Sequence, residues 1–277
     1  MQPRARYSCT IFAYALKMIR IEDIIYKYTS WRLPRFLVEP LARLLHEHEI
    51  NELLQRGAHL SPHDFLRYVF SELDVHSRVL FTSSLSANGR YLFVANHPFG
   101  ALDGMLLSEM LLSRWRDVGV VVNSLLMHVE PLRPLWIPVR KYSRQSAEES
   151  VAYHEALGSK RQILTFPAGL CSRWVGGRVA DVGWKPRFVR DAERYDRQIV
   201  PVFVEGTLSP RFYYIYRLRR ALHLSLNVEL LFLVDELFAQ RGREVRIVVG
   251  EPLDVRSLSG NIVERSQSIR DLVYSLN

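Results

Sequence analysis

The chain has 277 residues, 48% of them apolar and 24% charged, a balance that suits a folded domain with a sizeable core and excludes a disordered chain. Its formal net charge of +8 points to anionic partners, whether nucleic acid, an anionic membrane or an acidic ligand, without choosing among them. Two cysteines far apart, Cys9 and Cys171, imply no disulfide framework and a reducing compartment, and no run of about 18 apolar residues suggests a spanning helix.

Residues 1 to 35 hold seven basic side chains (Arg4, Arg6, Lys17, Arg20, Lys27, Arg32, Arg35) against Glu22 and Asp23, a net +5. Phe12, Tyr14, Met18, Ile19, Ile24, Tyr26 and Trp31 are interleaved with them. That mixture suits a segment lying in a membrane interface, with bases toward anionic headgroups, or else a helix packed on the core with a solvated basic face. Lys17 and Arg20 follow the apolar stretch Cys9 to Leu16 too soon for a signal peptide. One helix is expected over residues 36 to 57, with Pro40 in its first turn and Gly57 past its end. Ser61-Pro62 opens another, to about Leu73. Residues 1 to 75 are therefore expected to be a helical, peripheral segment, and 76 to 277 an α/β domain.

Val79 to Thr82 and Tyr91 to Ala95 suit strands, with Asn88-Gly89 between them as a hairpin-type turn. Alternation then continues. Helices are expected at Leu102 to Trp115, Ser146 to Leu157, Lys185 to Tyr195 and Arg211 to Leu224, and strands at Val118 to Val122, Gln162 to Phe166, Ile199 to Val204 and Val245 to Val249. Leu132 to Val139 is too proline-rich for a helix and suits a loop with a short extended piece. The tail from about Ser257 has a helical period but few caps. The alternation predicts a mostly parallel sheet flanked by helices.

Clefts in such sheets open beyond the carboxyl ends of the strands. Two turns sit there. In Asn96-His97-Pro98-Phe99-Gly100-Ala101-Leu102-Asp103, a histidine ends a strand and an aspartate opens the next helix. An imidazole titrates near neutrality, and a nearby carboxylate fixes its tautomer and raises its basicity. The second turn is Phe166-Pro167-Ala168-Gly169-Leu170-Cys171-Ser172-Arg173, another strand end with a cation beside it. Strands running parallel would bring both turns to one edge. Phosphate-binding glycine loops and Gly-x-Ser-x-Gly are absent. Cys171 lacks a context that would make it a nucleophile, and the histidines show no metal-ligand spacing.

Together the turns resemble the glycerolipid and lysophospholipid acyltransferase superfamily, which includes the 1-acylglycerol-phosphate acyltransferases. That family carries Asn-His-x4-Asp, a block with an arginine, Phe-Pro-Glu-Gly-Thr-Arg-Ser, and a strand ending in Val-Pro-Val. Here stand Asn96-His97…Asp103, then Ile137-Pro138-Val139-Arg140, Phe166-Pro167-Ala168-Gly169 and Val200-Pro201-Val202. The likeness covers about residues 75 to 255. There are departures. Five residues rather than four separate His97 from Asp103, Ala168 replaces the family's glutamate and Cys171 its arginine, with Arg173 two residues on. The pattern is similar to a bacterial, haemolysin-like branch linked to O-acylation of lyso-aminolipids.

The resemblance implies an O-acyltransferase with His97 as general base and Asp103 as its partner. Arg140, Phe166, Pro167, Ala168, Gly169 and Arg173 would bind substrate, and backbone N–H groups near Gly100 or Gly169 would stabilise the oxyanion. The acyl donor would be acyl-CoA or acyl carrier protein and the acceptor a lysolipid, with no bound cofactor or metal. A peripheral position on the cytoplasmic membrane face follows, through residues 1 to 35 and the Arg211 to Leu224 helix. Alternatives are an acyl thioesterase, a non-catalytic membrane-binding protein on the same fold, and a nucleic-acid binder, for which no recognition motif is present.

Overall fold

The computed structural model describes residues 19–29, 32–140, 146–223 and 232–277. Most of the basic aromatic segment, Cys9 and Leu224 lie outside the described residues. The first described helices are α1 (Ile21–Thr29), α2 (Arg35–Leu44), α3 (Glu47–Arg56) and α4 (Pro62–Leu73). The single helix expected over 36 to 57 is two. At the break His46 takes a left-handed conformation, φ 51°. Its ring stacks on Phe238 at 4.3 Å and its Nε2 lies 3.1 Å from the Asp235 carboxylate, so tertiary contacts turn the chain where local propensity would continue it. Pro40 is the sixth residue of α2, which begins after Pro34, and so lies past its first turn.

Strand and helix then alternate through β1 (His76–Phe81), β2 (Tyr91–Ala95), α5 (Ala101–Leu112), β3 (Val118–Asn123), β4 (Trp136–Val139), α6 (Ala147–Gly158) and β5 (Gln162–Thr165). A short ribbon follows, β6 (Arg173–Val175) and β7 (Arg178–Ala180), then α7 (Arg187–Arg194), β8 (Gln198–Val204), α8 (Pro210–Ala221), α9 (Leu233–Phe238), β9 (Glu244–Val249) and α10 (Ile262–Ser275). Seven strands form one sheet in the order β1-β9-β8-β2-β5-β3-β4. β8, β2, β5, β3 and β4 are mutually parallel, while β9 pairs antiparallel to β8 and carries β1 with it. The molecule is thus α/β, with a mostly parallel sheet.

β2 is central and buried along its whole length, as a strand covered on both faces must be. Tyr91, Phe93 and Ala95 join the cluster that contains α4 and α5, with Leu102, Leu106 and Leu107 at 0–2% exposure. Leu92 and Val94 join the opposite cluster, with Leu157 of α6, Val189 of α7 and Val273 of α10. Leu66 and Leu73 of α4 are fully buried in the first cluster, so the N-terminal helices share the core of the sheet. At the N-terminal edge, the buried Arg197 donates to the carbonyls of Leu157, Tyr91, Arg161, Ala156 and Ser159 and ties the strand ends together.

Other sequence expectations meet the structure as follows. Asn88-Gly89 turns the chain, yet β1 and β2 do not pair, because β9 and β8 lie between them. The short extended piece expected in the proline-rich stretch is β4, tolerated because it is at the sheet edge, where Pro138 pairs with Val122, while the residues before it, Glu130–Leu135, form a 3-10 helix rather than a loop. The helix of the C-terminal tail has a full capping box at its N-terminus: Asn261 accepts from the backbone of Val263 and Glu264, and Glu264 accepts from Asn261. The β6–β7 ribbon went unforeseen although Gly176-Gly177, both at positive φ (57° and 82°), is a turn signal of the kind hairpins need.

Candidate active site

The parallel strands bring the ends of β2, β5, β3 and β4 to one edge, and the two turns meet there. Ser172 N–H donates to the His97 carbonyl at 2.7 Å, and the His97 ring stacks on Phe166 with centroids 4.2 Å apart. His97 continues the parity of Phe93 and Ala95 and lies on the α5 side of the sheet. Its Nδ1 is 3.0 Å from Oδ1 of Asp103. The contact falls short of a well-aligned hydrogen bond, as is common at catalytic groups before substrate tightens them, and it becomes an ion pair only when the imidazole is protonated. With Nδ1 turned to the carboxylate, the proton is assigned to Nδ1 and Nε2 is the basic nitrogen. The His97 side chain keeps 18% of its surface exposed and that of Asp103 none.

Asp103 stands three positions into α5. Its Oδ2 accepts from the backbone of Phe99 (2.9 Å) and Gly100 (3.3 Å), and its Oδ1 from Gly104 (2.8 Å). These are donors a helix start leaves unpaired, and the positive end of the helix dipole favours a carboxylate among them. The five-residue gap is absorbed at Gly100, which has φ 79°. An added Cβ there would lie 2.8 Å from Cys171 Sγ.

Burial works against a charged imidazole at His97. The Asp103 carboxylate, and then a second carboxylate, Asp181, outweigh it, so the His97 pKa is raised above 6.5 while Arg173 pulls it back. Cys171 is buried and its thiol is pushed up to about 12, chiefly by that burial; it is no thiolate nucleophile. Asn96 extends the sheet, its side chain exchanging hydrogen bonds with both backbone groups of Val204 at 2.7 and 2.8 Å.

The other predicted residues are placed as follows. Phe166 is against His97. Pro167 and Ala168 are buried behind it, and Ala168 belongs to the rear cluster, where a glutamate's charge would lose its water. Gly169 turns the chain at φ 63°. Arg173 is 2% exposed, its guanidinium 4.9 Å from the rings of both Phe212 and Tyr216, and it donates to the Cys171 carbonyl. Arg140 is on the same sheet edge but three strands from β2, paired to Glu149 at 2.8 Å. The N–H of Gly100 already donates to Asp103 and that of Gly169 to the Phe166 carbonyl. The sequence did not single out Asp181, which sits beyond the unforeseen ribbon. Among the described residues no group of three or more His, Cys, Asp or Glu is placed to hold a metal, and no helix is long and apolar enough to cross a membrane.

The family model of the acyltransferases matches residues 26–277. The chain belongs to the acyltransferase family. It is similar to the lyso-glycine lipid O-acyltransferase of Phocaeicola vulgatus, 32% identical over 97% of this chain and 98% of the relative. It is also similar to the lyso-glycine lipid O-acyltransferase of Bacteroides thetaiotaomicron, 33% identical over 91% of this chain and 92% of that one. The crystal structure of the 1-acyl-sn-glycerophosphate acyltransferase PlsC from Thermotoga maritima aligns with 85% of this chain and 93% of its own, at 15% identity and a TM-score of 0.46. The protein is therefore an acyltransferase, with bacterial relatives that act in lipid synthesis as O-acyltransferases.

Gly100→Ala places a side chain at a strained φ and against Cys171 Sγ. It is expected to cost about 1–3 kcal/mol of stability in urea unfolding and to lower the transfer rate by loosening the Asp103 contacts. Unchanged stability and rate would show that the turn tolerates a Cβ.

Proposed function

We propose that this acyltransferase moves a fatty acyl group from an acyl thioester, acyl-CoA or acyl carrier protein, to the hydroxyl of a lyso-aminolipid such as a lyso-glycine lipid. The observation that carries the reading is the His97–Asp103 contact of 3.0 Å at the mouth of the sheet, in a chain a third identical to two lyso-glycine lipid O-acyltransferases. Nε2 of His97 accepts the acceptor's hydroxyl proton as its oxygen attacks the thioester carbon. The C–O bond forms, the tetrahedral intermediate collapses, the C–S bond breaks, and the imidazolium returns the proton to the leaving thiol. A thioester is already activated, so no acyl-enzyme is needed. Asp103 holds the imidazole tautomer and stabilises its positive charge, the orienting part a buried aspartate plays in hydrolytic triads. Phe166 walls one face of the ring. Pro167, Ala168 and Gly169 shape the turn beneath the acceptor, and Arg173 supplies positive potential there for an anionic headgroup or donor phosphates, with Arg140 joining it only on release from Glu149.

The acceptor resides in a bilayer, and the surface suits a peripheral protein on its cytoplasmic face. α8 has no acidic residue, and Tyr214, Leu218 and Leu222, at four-residue spacing, are 67%, 46% and 59% exposed beside the exposed Arg217 and Arg220. That is the composition of an interfacial helix. The basic N-terminal residues would add to it.

Two measurements test the reading. With acyl thioester and lyso-glycine lipid, His97→Ala and Asp103→Asn are expected to lower kcat by about 10²–10⁴-fold, the range of general-base catalysis; full activity in both variants, or hydrolysis by water that no lysolipid outcompetes, would defeat it. Co-sedimentation with phosphatidylglycerol vesicles is expected to fall about tenfold for Tyr214→Glu with Leu218→Glu, and undiminished binding would remove α8 from the membrane contact.

A further inference from the structure

Asp181 follows β7 directly and is buried. Its Oδ1 accepts from the Ser172 hydroxyl (2.6 Å) and from the backbone N–H of His97 (3.2 Å), and its Oδ2 from the Trp184 indole N–H (2.8 Å). An indole N–H and a backbone N–H can only donate, so each oxygen accepts at least one hydrogen bond, the pattern that suits a carboxylate. Its own N–H donates to the Tyr274 hydroxyl at 2.7 Å, and its carbonyl accepts from Arg270 at 2.9 Å. Tyr274 and Arg270 belong to α10.

The consequence for His97 is specific. Asp181 holds its N–H. Ser172, bonded to Asp181, holds its carbonyl at 2.7 Å. Both backbone groups of His97 are therefore fixed by one clamp, while Asp103 and Phe166 fix its ring. A carboxylate buried this deeply is costly unless donors surround it, and the donors around Asp181 tie it to the His97 backbone, Ser172 and Trp184. Groups that hold a functional side chain from behind in this way set its geometry and its basicity.

We propose that Asp181 is the positioning residue of the catalytic turn. With Ser172 it fixes the His97 backbone against α10, and its charge stabilises the imidazolium that forms when His97 takes the acceptor's proton. The proposal rests on His97 being the general base. The charged and titratable groups around the imidazole are Asp103, Asp181 and Arg173, with Cys171 held as a neutral thiol. Around Asp181 are His97, Ser172, Trp184, Tyr274 and Arg270. Burial raises the Asp181 pKa above the ordinary carboxylate value, and Ser172, Trp184 and His97 offset only part of that rise.

The sign for pH follows. Removing a negative charge beside the imidazolium favours neutral imidazole, so the acid limb of the rate profile moves to lower pH. Asp181→Asn removes the charge and keeps the shape, but sets an amide against the Trp184 indole; Asp181→Asn with Trp184→Phe relieves that conflict. Ser172→Ala removes the hydroxyl that donates to Asp181, keeps the backbone N–H on the His97 carbonyl and leaves the Asp181 carboxyl group in place. With acyl thioester and lyso-glycine lipid, both Asp181 variants are expected to lose about tenfold in kcat, to change the acceptor KM less than twofold, and to shift the acid limb of kcat/KM downward. Ser172→Ala is expected to lose kcat with the limb in place. An unchanged limb in both Asp181 variants would overturn the electrostatic role, and unchanged kcat in all three would overturn the clamp. Urea unfolding of each variant separates lost activity from lost fold. His97→Ala run alongside separates this proposal from the one beneath it: a fully active His97→Ala protein refutes the general-base reading, whereas an inactive one with normal Asp181 variants refutes only the role of Asp181.

Discussion

The site depends on one buried charge, the carboxylate of Asp103. A carboxylate with no exposed surface is untenable in a protein core unless donors and an opposite charge replace its water. Here three backbone N–H groups from Phe99, Gly100 and Gly104 do so, at 2.8 to 3.3 Å, and His97 completes the shell at 3.0 Å. The same contacts start α5, which then carries Leu102, Leu106 and Leu107 into the core. Helix start, core packing and imidazole basicity are consequences of one side chain. An uncharged replacement would therefore be felt in more than the chemistry.

Around that charge the chain solves a length problem. The related motif has four residues between histidine and aspartate, and this one has five. Gly100 adopts φ 79°, a conformation open to glycine at little cost, and directs its N–H to Asp103 in the same turn. The rest of the edge adapts to the same centre. Arg173 gives its charge from between two aromatic rings, and Ala168, in place of an acidic residue, leaves the rear cluster apolar.

Much of this was legible in sequence. The apolar run Tyr91 to Ala95, broken by Pro98 and followed by a helical pattern, marks a buried strand feeding a helix. The strand–helix alternation after it predicts the parallel sheet and so the shared edge of the two turns. What the sequence hid was tertiary. His46 breaks a continuous helical pattern because its ring is captured by Phe238 and Asp235, residues far along the chain. β1 and β2 look like a hairpin locally but are separated by strands contributed from the C-terminal half. Asp181 carries no local signal at all, since its importance comes from contacts with His97, Ser172, Trp184 and α10 that only the fold assembles. Arg173 was visible as a cation near the turn, but not as one enclosed by Phe212 and Tyr216.

The buried Asp103 carboxylate is expected to make His97 a stronger base than a free histidine. The direct measurement is an NMR titration of the His97 ring in the wild type and in Asp103→Asn, with His97→Ala used to assign the signal. The account predicts a wild-type midpoint above 6.5, as burial is outweighed by Asp103 and Asp181, and a midpoint lower than that in Asp103→Asn, where burial is no longer outweighed to the same degree. A wild-type midpoint below 6.5, or one that does not move when Asp103 is neutralised, would contradict it.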